Sequence, residues 1–97
     1  MSYISEFPDY DGEFRVPIGF IDNSWHNDTM PRATKRAETI DGLTIEINIW
    51  QDYVDANKRE YDNGKRYIFQ IEVNGGCLFE YSTNKWSKIE KLIKALQ

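Results

Sequence analysis

The sequence predicts a small α+β domain, an antiparallel sheet of about four strands in the order β-loop-β-β-β with one C-terminal amphipathic helix packed on one face. Three observations carry this. Residues 43–54 alternate strictly, with Leu43, Ile45, Ile47 and Ile49 on one side and Thr44, Glu46, Asn48 and Trp50 on the other; period 2 marks a strand with one buried face. Tyr67, Phe69, Ile71 and Val73 repeat the pattern. Trp86, Ile89, Leu92, Ile93 and Leu96 then recur at spacings of three and four, the apolar stripe of a helix. A one-sided helix and a one-sided sheet cover each other.

Residues 1–12 read as an acidic, partly aromatic arm, broken at Pro8 and Gly12. In 13–21, Phe14, Val16, Ile18 and Phe20 alternate, which predicts a strand; Pro17 cannot donate to a ladder and places it at an edge. Residues 22–42 are polar and interrupted, a long loop of the kind that often carries function. Strands follow at 43–54, 66–73 and 77–82, with a turn signal at Asp62-Asn63-Gly64.

The turn at Asn74-Gly75-Gly76 fixes the last register. A three-residue loop keeps one face apolar: Val73 opposes Cys77, Ile71 opposes Phe79 and Phe69 opposes Tyr81, with Gly76 left-handed. The helix spans 84–96, with Ser82, Thr83 and Asn84 as candidate caps and Lys85, Lys88, Lys91 and Lys94 facing water. The 97 residues are read as one domain.

The net charge of −4 disfavours unspecific binding to nucleic acid and to anionic membranes. The charge is also polarised. Residues 1–30 hold six carboxylates against Arg15, net −5, while the helix holds four lysines against Glu90, net +3. A single cysteine, Cys77, excludes an internal disulfide and fits a reducing compartment. The N-terminus has no signal-peptide pattern and no apolar run reaches membrane-spanning length, so a cytoplasmic address is expected.

Ser24-Trp25-His26-Asn27-Asp28 is the most unusual string. His26 is the sole histidine, beside an amide and near a carboxylate. It suits a general acid or base, a polar contact beside an exposed Trp25, or a structural turn in which Trp25 plugs the core. Cys77 falls on the expected inner face, as a small hydrophobe rather than a nucleophile. One His and one Cys make no structural zinc site. Asp9, Asp11 and Glu13 alternate as hard-cation ligands do, without a calcium loop around them. Lys65-Arg66-Tyr67-Ile68-Phe69 has the basic-aromatic look of an RNA-binding strand, but its rings are needed in the core. Trp50, Ile68 and Leu78 fall on the opposite sheet face; they form an exposed cluster there unless the arm covers them through Tyr3, Ile4 and Phe7.

The Ser-Trp-His-Asn-Asp string, with Pro31, Arg59-Glu60-Tyr61, Gly64-Lys65-Arg66-Tyr67 and Trp86 in the final helix, resembles a group of small bacterial proteins sharing these features over roughly residues 20–96. The resemblance implies an origin in a bacterium, a phage or a mobile element, and no activity.

The expected function is that of a non-enzymatic protein-interaction module that masks a basic protein surface, as inhibitors, immunity proteins and anti-defence proteins do. Trp25, His26, Asn27, Asp28 and Trp50 are the expected contact residues, with Asp9 and Asp11 steering. No cofactor, metal or membrane partner is expected, and the oligomeric state is left open. Two alternatives stand: a small enzyme or ligand-binding domain using His26 in the 22–42 loop, and a nucleic-acid accessory protein using the lysine face of the helix.

Overall fold

The computed structural model describes residues 2–38, 41–61 and 64–96. Five strands, β1 (Ile21–Asp22), β2 (Arg32–Glu38), β3 (Thr44–Gln51), β4 (Tyr67–Val73) and β5 (Gly76–Thr83), form one antiparallel sheet in chain order. A short helix α1 (Tyr3–Glu6) precedes it and α2 (Trp86–Ala95) closes the chain. No helix among the described residues is long and apolar enough to cross a membrane.

The inner face is set by register. Ile47 opposes Ile71, Ile49 opposes Phe69 and Gln51 opposes Tyr67; across the next seam Phe69 opposes Tyr81. Side chains at these positions share one side of the pleat. Ile89 of α2 sits among Ile49, Tyr67 and Phe69 with no exposure, and Trp86, Leu92 and Ile93 pack around it. Burying Ile89 alone contributes about 1.5–3 kcal/mol. Trp86 meets Tyr67 edge-on, 5.3 Å between centroids.

The stretch 22–42 is not a loop throughout: it contains β2. That strand shows no apolar alternation because only Ala33 points into the core, while Arg32, Thr34 and Arg36 pair with β3 on the other side. The expected strand at 13–21 survives only as β1. Pro17 accepts from the Phe20 N–H at 2.9 Å, and Gly19 takes a φ of 88°, so the chain turns instead of extending. Phe14 and Phe20 are buried while Ile18 is 98% exposed. The Gln51 side chain ties this segment to the sheet: it accepts from Arg15 N–H at 2.8 Å and donates to Arg15 C=O at 2.7 Å, an amide standing in for a neighbouring strand.

The β4–β5 turn has two residues, not three. Asn74 and Gly75 have φ of 50° and 85°, the doubly left-handed pair a tight hairpin requires. Val73 opposes Gly76 and Glu72 opposes Cys77; a bulge then restores Ile71 opposite Phe79 and Phe69 opposite Tyr81. The expected pairing holds beyond the bulge, but Cys77 is exposed rather than buried. Asp62 and Asn63, part of the other turn signal, lie outside the described residues. Lys85 occupies the cap position of α2; Thr83 Oγ1 accepts its N–H, and Asn84 instead accepts from Arg66 N–H.

The arm docks at the edge of the core. Phe7 is buried, Tyr3 lies against Phe14 and Tyr10 against Tyr53. Below it, Asp52 is fully buried and accepts backbone N–H groups from Tyr53, Glu60 and Tyr61 at 2.8–3.2 Å. Arg59 donates to the carbonyls of Tyr53, Val54 and Gly64. These two side chains satisfy the backbone of a connection that no ladder serves. Replacing Asp52 with alanine strands buried N–H groups, each worth about 1–3 kcal/mol. We expect Asp52→Ala to lower the unfolding free energy by about 3 kcal/mol, read from its urea midpoint; a loss below about 1 kcal/mol would contradict this role.

Candidate functional site

Both helices approach the sheet from one side, α2 through Ile89 and α1 through Tyr3 on Phe14. Among the described residues neither α-helix is seen to pack on the other face. Its side chains are those of the second parity: Arg32, Thr34 and Arg36 on β2, Glu46, Asn48 and Trp50 on β3, Ile68, Gln70 and Glu72 on β4, Glu80 on β5.

These side chains form two connected rows. In the first, Arg36 Nε donates to Glu46 at 2.6 Å, directly across the strand pair. Glu46 opposes Glu72, a like-charge pair that would repel. Asn48 Nδ2 bridges them at 3.0 Å to each carboxylate, and Thr34 Oγ1 donates to Asn48 Oδ1 at 2.7 Å. Thr34 and Asn48 are fully buried yet satisfied.

The second row is aromatic. The Arg32 guanidinium lies over the Trp50 ring, 4.8 Å from its centroid. Trp50 Nε1 donates to Gln70 Oε1 at 2.8 Å, and Gln70 Nε2 donates to Glu80 at 2.8 Å. Tyr61 donates its hydroxyl to the other Glu80 oxygen. Thr29, Met30, Trp50, Tyr61, Ile68 and Gln70 line an open cavity of about 160 Å³. Ile68 opposes Trp50, and both Ile68 and Met30 are buried.

The expected contact residues divide among three places. Trp50 anchors this belt. Trp25, His26, Asn27 and Asp28 sit on the loop between β1 and β2, whose later residues Thr29 and Met30 form a wall of the Trp50 cavity. Trp25 is 39% exposed and does not plug the core. His26 lies 4.3 Å from the Trp25 ring, and its Nδ1 is 2.9 Å from Glu6. Ser24, by contrast, is fully buried and accepts from Arg32 N–H, which positions the start of β2. Asp9 and Asp11 lie elsewhere and hold the arm: Asp9 accepts from the Tyr53 hydroxyl, Asp11 from the N–H groups of Val54 and Asp55.

Ile68 is buried and lines one cavity with Met30 and Tyr61, while Leu78 stands 74% exposed at the bulge. The alternation on β3, β4 and β5 placed Trp50, Glu46, Gln70 and Glu80 on this face. Arg32, Thr29, Met30 and Tyr61 gave no such signal, since they lie on β2 or in connections.

Among the described residues no group of three or more His, Cys, Asp or Glu is placed to hold a metal ion. Comparison with protein-family models, with curated proteins and with solved structures finds no match for this chain.

Several carboxyls are held below their usual range. Hydrogen bonds from His26 lower Glu6, backbone N–H groups of Asp55 and Val54 lower Asp11, and Tyr61 and Gln70 lower Glu80. Burial pushes Glu46 up, but Arg36, Asn48 and Arg32 outweigh it and the result is a lowered value. Groups depressed in the folded state stabilise it above their unfolded values and lose that contribution as the pH falls. Stability should therefore fall below a pH near the ordinary values of 4.5 for Glu and 3.8 for Asp. Urea midpoints between pH 6 and pH 3 test this. Glu46→Gln should shallow the acid slope, and an unchanged slope would remove Glu46 from the account.

Proposed function

We propose that the protein is a non-enzymatic interaction module that masks a basic surface on another protein, as immunity and anti-defence inhibitors do, with the uncovered sheet face as its contact. One observation carries this reading: Trp50 is half-buried and fixed by its hydrogen bond to Gln70, on the sheet face opposite α2. A tryptophan is the side chain most often found at the energetic centre of protein interfaces. One already held in place loses little freedom on binding. The 1–30 segment, net −5, supplies a field that draws a basic partner. A bacterial or phage origin and a cytoplasmic location complete the reading, resting on the resemblance and on the single cysteine.

The enzyme alternative has less support. His26 is mostly exposed, its ring is engaged by Glu6, and it lines none of the described cavities. A general base needs a substrate within hydrogen-bond reach.

The test is affinity capture from bacterial lysate with the wild-type protein and Trp50→Ala side by side. We expect a basic protein retained by the wild type, reduced at least about tenfold by Trp50→Ala, and released by raised salt. Identical recovery with both baits at low and physiological salt would contradict the proposal, and recovery of nucleic acid through the α2 lysines would replace it.

A further inference from the structure

We propose that the free edge of β5 takes up an extended segment of another protein as an added strand, one whose side chains on the α2 side are acidic. This contact is separate from the Trp50 face and does not rest on it.

The two edges of the sheet differ. At one edge β1 has only two residues, and β2 runs on past it through Lys35, Arg36 and Glu38. Short strands and charged side chains blunt an edge against pairing. At the other edge β5 is eight residues long, and its sequence from Gly76 to Thr83 holds no lysine and no proline. Its one charge, Glu80, is held by Gln70 and Tyr61. The bulge lies near the hairpin tip, so Phe79 to Thr83 pair regularly with β4. Among the described residues no strand pairs with the other side of β5. Alternate N–H and C=O groups of such a strand point outward and can pair with another chain.

Backbone pairing makes no choice of partner; α2 does. A groove of about 250 Å³ is lined by Tyr81 of β5 with Lys88, Lys91 and Leu92 of α2, and among the described residues by no other strand. It therefore lies over the free edge. The other flank of α2, with Trp86, Glu90 and Ile93, faces the 15–18 segment instead. Lys88 and Lys91 are exposed, and neither forms an ion pair with a described residue. No described carboxylate lines the groove. Every second side chain of an added strand points to this side. Glutamates or aspartates at those positions meet two cations.

Charge also disfavours a second copy as the occupant. Two β5 edges related by a two-fold axis pair antiparallel and keep both helices on one side of the joined sheet. Lys88 and Lys91 of each copy would then share one groove that no described carboxylate lines. Like charges so placed oppose the pairing.

The test uses the full ¹⁵N-labelled chain and the blocked peptide acetyl-Glu-Thr-Glu-Thr-Glu-Thr-Glu-Thr-amide, whose glutamates share one face when extended. We expect saturable shifts at the amides of Phe79 to Thr83 and of Lys88 and Lys91, at about millimolar peptide. The same peptide N-methylated throughout, which keeps the charge and removes every N–H, should bind at least about tenfold more weakly. The double variant Lys88→Glu with Lys91→Glu should bind the acidic peptide at least about fivefold more weakly and respond instead to a Lys-Thr repeat. Both positions are exposed, so the fold should survive the change. No shift at tens of millimolar, equal binding of the N-methylated peptide, or unchanged binding by the double variant overturns the proposal. A stable dimer of the chain with the β5 amides at its interface overturns it in favour of a second copy. Oligothymidylate shifting both lysines at lower concentration than the peptide overturns it in favour of nucleic acid.

Discussion

The structure depends on one act of burial: the apolar stripe of α2 lies on the inner face of β3, β4 and β5, with Ile89 seated among Ile49, Tyr67 and Phe69. The chain has one long helix and a sheet with two faces. Spending the helix on one face leaves the other to be managed by side chains. The position of Trp50, the parity of every strand residue and the polarity of β2 follow from that choice.

An uncovered face is a liability for a small sheet unless its residues are satisfied. Here the solution is a hydrogen-bonded belt rather than plain exposure. Thr34, Asn48, Glu46 and Glu72 occupy neighbouring strands, and one amide bridges the two facing carboxylates. Such networks favour a single arrangement, because breaking one bond leaves a poorly solvated polar group behind. The same belt fixes the Trp50 indole and the Glu80 carboxylate through side-chain hydrogen bonds.

What was legible in the sequence was what burial writes at a regular period. The alternation of Ile45, Ile47 and Ile49, that of Tyr67, Phe69 and Ile71, and the Trp86–Ile93 stripe identify the central strands and the helix, because each buries one side. β2 left no such mark. Its inward position Ala33 is small, and its outward positions are polar because their partners are polar. The Phe14–Phe20 alternation gave a strand where the chain turns, since Pro17 and Gly19 outweigh it. The hairpin registered correctly in its body and not at its tip, because a bulge at Leu78 does the work assigned to a longer turn. At the candidate site, Trp50 and its polar neighbours on β3, β4 and β5 were readable by parity. Arg32, Met30 and Tyr61 reach it only through tertiary folding.

The most direct test of this account is the set of through-space proton contacts from the Ile89 methyl groups in the intact chain. Contacts to the Phe69 ring and the Ile49 methyls, with none to the Trp50 indole or Ile68, would place the helix as described, on the face opposite the belt. Contacts from Ile89 to Trp50 or Ile68 would put the helix on the opposite face and contradict the account at its root.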